Sequence, residues 1–193
     1  MDSKPAICPR SDGLASQQEA QVNDLGRESA ITEMESALRL HLKQILRTRF
    51  QANPCKPHCW FYYGFYDFVL REGRFFTPRP RPADSRQGAA EEPFLNSLMN
   101  AAAQQLEYVE GYAVQESLSI PVLHAWNSDS QGLVIDTTWD PPGVAYLGVV
   151  IPRTLVFAAS DDEGRIGSSI DNWRQDWPLL RRPWNKTLSE FSF

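Results

Sequence analysis

Three residues far apart in this chain have the chemistry of a thiol acyl-transfer site: Cys59, His124 and Asp136. The last two lie in residues 121–139, PVLHAWNSDSQGLVIDTTW, which read as a β-hairpin. Val122, His124 and Trp126 alternate with Leu123, Ala125 and Asn127, the period-2 signature of a strand. Residues 128–132 are turn chemistry containing Gly132, and Leu133, Val134 and Ile135 start the returning strand. With a five-residue loop, Asn127 faces Leu133 and His124 faces Asp136. Directly opposed Cβ atoms are about 4.5–5.5 Å apart. A carboxylate at that range fixes the tautomer of an imidazole and stabilises its protonated form. The hairpin therefore offers an oriented base.

A base needs a nucleophile to serve. Cys59 follows a loop, residues 51–58, whose Pro54 and Pro57 forbid helix continuation. Residues 59–70, CWFYYGFYDFVL, are apolar on every side and predict a buried helix that ends near Gly73. A thiol at the start of such a helix meets unpaired N–H groups that favour the thiolate and could hold an oxyanion. Cys55 is a competing thiol. Each residue alone has a plainer reading: Cys59 as an inert buried cysteine, His124 as a hydrogen-bonded core histidine, Asp136 as a turn cap. Cys55, His58 and Cys59 with His124 form a second grouping, but their spacing matches no common zinc motif, so no metal is expected.

The elements that must position these residues follow a helices-then-strands order. Residues 1–27 show no sustained periodicity and predict a flexible N-terminal tail. From Glu28, Ile31, Met34, Leu38, Leu42, Ile45 and Leu46 recur at helical steps to about Thr48; His41 falls beside that stripe and reads as structural or solvated. Residues 78–92, PRPRPADSRQGAAEE, predict an exposed Pro/Arg-rich connector. Residues 93–106 predict a second amphipathic helix, 107–114 and 145–151 two further strands, and 153–159 a short helix or strand. The expected fold is α+β: one domain over residues 28–193, with N-terminal helices packed on an antiparallel β-sheet. In the C-terminal stretch, Trp173, Trp177 and Trp184 with Arg174, Arg181 and Arg182 would either bind a partner or close over a core edge.

With these residues in view, the hairpin resembles a known pattern. His124-Ala-Trp126, a glycine turn and Val134-Ile-Asp136-Thr-Thr-Trp139 are similar to the His-Ala-Trp…Asp-x-Thr hairpin of the transglutaminase-like branch of the papain-fold cysteine enzymes. Tyr108-Val-Glu-Gly-Tyr112 resembles the strand before that family's histidine, and Cys59-Trp60 its nucleophile position. Here, unlike in much of the family, aromatic residues follow the cysteine directly. The resemblance implies a papain-like domain in which Cys59 attacks an amide carbonyl, His124 moves the proton and Asp136 orients the imidazole, with no cofactor. It also suggests Gln51 as an oxyanion donor, eight positions (59 − 51) before the cysteine. The implied substrate is a protein, a peptide or a small amide, for a cysteine peptidase, amidase or deamidase. The alternative is an inactive papain-like protein that acts as a protein-binding module.

Composition narrows the classes further. A net charge of −5 argues against a nucleic-acid partner. No apolar run approaches membrane-spanning length, so no membrane partner is expected. Three cysteines are too few and too odd in number for a disulfide framework, and the first residues lack the plan of a secretory signal; a reducing, cytoplasmic setting is expected.

Overall fold

The computed structural model describes residues 12–118, 120–158 and 165–191. The chain is α+β, with helices and turns packed on an antiparallel, curled five-stranded sheet. The first helix, α1 (Asp12–Ala52), begins well before Glu28, so the backbone of residues 12–27 is helical rather than a flexible tail. Its Gln-, Glu- and Ala-rich sequence favours helix without needing an apolar stripe. Residues 1–11 lie outside the described residues. Farther along α1, Leu38 and Leu42 are fully buried, and Pro54 prevents the helix from continuing.

The helix predicted from Cys59 is shorter and starts later. α2 spans Phe65–Glu72, preceded by Gly64 at φ 144°, a conformation that side chains rarely adopt. The Tyr63 N–H donates to the Asp67 carboxylate at 2.9 Å and caps the first turn. Residues 59–64 form turns instead, because their aromatic side chains pack better across the helical layer than around one helix axis. Phe61 and Tyr62 both donate their N–H to the Leu180 carbonyl, and the Trp60 ring meets Trp177 edge-on at 5.3 Å.

After β1 (Arg74–Phe76) comes α3 (Pro93–Gln104), opened by proline and ended by Gln105 in the left-handed conformation. Strands β2 (Glu107–Val114), β3 (Pro121–Ser128), β4 (Val134–Ile135) and β5 (Ala145–Val150) follow the predicted spans closely. The strand order is β1-β5-β2-β3-β4. The two edges then meet: Thr77 bridges Leu133 in parallel, its N–H bonding the Gly132 carbonyl at 3.1 Å and its carbonyl accepting from Val134 at 3.0 Å. Five antiparallel strands can curl back on themselves only through one parallel contact, and this is it.

Curling divides the core in two. Tyr108, Tyr112, Leu147 and Val149 face outward into the helical layer with Leu38, Leu42, Phe68 and Leu98. Phe76, Val109, Ala113, Trp126, Val134 and Tyr146 fill the inside of the curl. Gly148 makes room for the fully buried Trp126; a Cβ there would sit 2.5 Å from the indole rim. α4 (Arg153–Ala158), two short 3-10 turns (Trp173–Gln175 and Pro178–Leu180) and α5 (Trp184–Phe191) complete the outer layer. No helix among the described residues is long and apolar enough to cross a membrane.

Candidate functional site

The hairpin places its two polar side chains inside the curl. β3 pairs with β2 so that His124 lies opposite Gly111 and Trp126 opposite Val109, on the inner face. β4 pairs two residues away from the predicted register: Asn127 faces Ile135 and Ser128 faces Val134. The cause is Asp129, whose carboxylate accepts from the N–H groups of Gln131 and Leu133 and shapes the turn. A two-residue shift preserves which face each side chain points to. Asp136, just past β4, therefore still reaches His124, as a diagonal rather than a directly opposed neighbour.

The His124 Nε2 to Asp136 Oδ2 distance is 2.9 Å, and both side chains are 1% exposed or less. A carboxylate only accepts, so Nε2 carries the proton of that bond. Asp136 is saturated with donors. Oδ2 also accepts from the Tyr146 hydroxyl at 2.8 Å, while Oδ1 takes the N–H groups of Thr138 at 2.8 Å and Trp139 at 3.0 Å. Burial pushes the Asp136 pKa up, but the hydrogen bond and charge of His124 and the two N–H groups outweigh it and hold the carboxyl below its usual range. Burial, reinforced by Asp136, drives the Tyr146 hydroxyl well above its ordinary value, keeping it a neutral donor. The same hydroxyl accepts from Gly143 N–H at 2.6 Å. Trp139 stacks flat on the imidazole, with centroids 3.9 Å apart and planes at 12°.

Cys59 is not brought to this pair. It is exposed and belongs to the turns preceding α2, whose neighbours Trp60, Phe61 and Phe65 pack against the helical layer. His124 sits among the inner-face rings of Trp126 and Tyr146, whereas the residues after Cys59 pack with the outer cluster of Tyr108 and Tyr112, on the other side of the sheet. Nor does Cys59 start a helix, so the predicted thiolate-stabilising N–H groups are missing there. Gln51 is exposed at the end of α1, and Cys55 is exposed as well. Among the described residues no group of three His, Cys, Asp or Glu side chains is arranged to hold a metal ion.

Several partners escaped the sequence reading. Tyr146 and Trp139 frame the pair; Tyr146 shares an alternation with Gly148 on β5, a signal visible only once the inner face is known. Glu110 is a second fully buried carboxylate, on the outer face of β2. It accepts from the Tyr108 hydroxyl at 2.8 Å, Ser168 Oγ at 2.8 Å, and the N–H groups of Ser169 at 2.9 Å and Ile170 at 3.1 Å. Burial raises its pKa even against those donors. Its role is to fasten the C-terminal layer to the sheet. In that layer Trp177 and Trp184 pack into or against the core, whereas Trp173 is 63% exposed.

Taken together, the inner face holds an imidazole oriented by a carboxylate, without a thiol beside it. Compared with known proteins, the chain matches no family model, no curated protein and no solved structure.

Proposed function

We propose that this protein is a papain-like, transglutaminase-type α+β domain that does not catalyse acyl transfer and works as a protein-binding module. The observation that carries the reading is the enclosure of His124 and Asp136 within the curl, with Cys59 exposed on the opposite layer. Thiol-dependent acyl transfer requires a nucleophile within about 3.2 Å of the base in a competent complex. Moving Cys59 that close would mean taking apart the Trp60–Trp177 and Phe61–Leu180 contacts. The imidazole–carboxylate pair instead acts as a polar pin that sets the hairpin against β5. Two exposed free thiols, Cys55 and Cys59, fit action in a reducing, cytoplasmic setting.

A groove of about 400 Å³ supports the binding half of the reading. Ile31 and Met34 of α1 form one wall, and Pro78, Pro80, Pro141 and Pro142 form the other. Leu118 and Ile120 stand exposed on the β2–β3 loop, whose Glu116 lines the same groove. Such a trough between proline turns suits an extended segment of a partner protein.

Two measurements test the two halves. Under iodoacetamide, Cys59 is expected to alkylate at a rate comparable to Cys55; labelling of Cys59 a hundredfold faster would restore the enzymatic reading. A photo-crosslinking amino acid at Met34 is expected to capture a protein partner in cells, and one at Lys43 to capture none. Equal capture at both positions, or none at either, would remove the groove from the argument.

A further inference from the structure

Most of residues 78–92 is exposed, yet the segment after β1 is docked at its arginines and at Gly88, and the way it is docked is informative. Thr77 joins the two sheet edges, and Arg79 Nε donates to the Val134 carbonyl at 3.1 Å. Arg79 also pairs with Asp129 at 3.2 Å, and Arg81 with Asp140 at 2.9 Å. At the far end Gly88 N–H bonds the Thr137 carbonyl at 2.7 Å. Arg79 and Gly88 thus grip the residues on either side of Asp136.

Little apolar burial supports these contacts. No core residue falls between Phe76 and Leu98, and Ser85 is the one buried side chain among residues 78–92. Pro78, Pro80 and Pro82 contribute no N–H donors. The seam also leaves buried polar atoms unpartnered: Arg81 Nε, Ser85 Oγ and Thr137 Oγ1. Water would satisfy all three if the segment lifted, so closure is opposed by desolvation and held by two partly exposed ion pairs together with the hydrogen bonds of Thr77, Arg79 and Gly88.

We propose that residues 77–88 are a releasable strap gating the His124–Asp136 pair inside the curled sheet: opening at the Arg79–Asp129 and Arg81–Asp140 clasps, with the Thr77 bridge, uncovers the pair while the antiparallel strand pairings stay intact. Because Pro78, Arg79 and Pro80 also line the apolar groove, a ligand seated there would act directly on the strap. The gating itself stands or falls independently of the binding-module reading.

The test is site-resolved modification of histidine by diethyl pyrocarbonate, followed by mass spectrometry on the full chain. His41 and His58, outside the strap, serve as references. Raising the salt from 0.05 to 1 M, or the double substitution R79Q/R81Q, is expected to speed His124 modification roughly five- to tenfold, the yield of releasing two such ion pairs. The references should stay within about twofold, since neither contacts the clasps. In hydrogen exchange, the amides of Thr77 and Gly88 should open well before those of Tyr112 and Leu147 in the sheet centre. Modification of His124 only at the rate of global unfolding would overturn the proposal. So would strap amides that open early while His124 stays protected, because the strap would then move without gating. Should R79Q/R81Q prove unfolded by circular dichroism, the salt series on the unaltered chain decides.

Discussion

Replacing Asp136 by Asn keeps the shape of the side chain and removes its charge, which makes it the sharpest probe of the buried pin. Placed with its oxygen at the Oδ1 position, the amide still accepts from Thr138 and Trp139. At the Oδ2 position an NH2 group meets two donors, His124 Nε2 and the Tyr146 hydroxyl. The imidazole can answer by switching tautomer and presenting a bare Nε2, but the Tyr146 hydroxyl loses its acceptor. Hydrogen bonds to charged groups contribute about 1.5–3 kcal/mol each, and two of four are compromised, one of them partly recoverable. The expected loss is about 2–4 kcal/mol, at or below the ~3–5 kcal/mol for leaving one member of a buried pair wholly unpaired. For a domain of this size that lowers Tm by about 5–15 °C. The pH dependence gives a second reading. Since the folded Asp136 pKa is depressed, its contribution is fully present above the unfolded value, about 3.9, and is lost as pH falls through the folded value. Urea midpoints measured from pH 7 down to pH 2 should therefore show the two proteins well separated at neutrality and converging in acid. Curves that run parallel throughout, or a difference at pH 7 below about 0.5 kcal/mol, would refute the pin, since surface substitutions alone fall within that range.

Other outcomes follow from the same geometry. Tyr146→Phe removes a donor to Asp136 and orphans the Gly143 N–H, so urea denaturation should report a loss of about 1–3 kcal/mol. Gly148→Ala drives a methyl into the Trp126 rim and the Glu110 carbonyl, and should cost at least about 1–3 kcal/mol, visible as a lower Tm and a changed near-UV tryptophan spectrum. Cys59→Ala, at an exposed turn, should leave the urea midpoint within about 0.5 kcal/mol of the parent; a larger loss would mean the thiol is packed against something.

Sequence pattern by itself determined that residues 107–114, 121–127 and 145–151 are strands, within a residue of the observed ends, and that His124 and Asp136 share a face, because side-chain direction in a strand depends only on parity. That is why the pair forms although the register differs by two. Helical periodicity likewise placed Leu38 and Leu42 on a buried face and ran α3 two residues past its observed end, whereas residues 12–27, which lack a stripe, read as a tail and are helical. What local pattern could not supply is which side of the sheet each loop visits. The aromatic run after Cys59 read as one buried helix, yet Gly64 and the Leu180 carbonyl broke it into turns and left the thiol outside. The Pro/Arg segment read as solvent-exposed because its sequence has nothing apolar to bury, and most of it is exposed; what the reading missed is its docking, which arises because the curl brings β1 and β4 together and offers carbonyls and carboxylates to its arginines. Long-range contacts of that kind come from closing the sheet, and no window of neighbouring residues contains them.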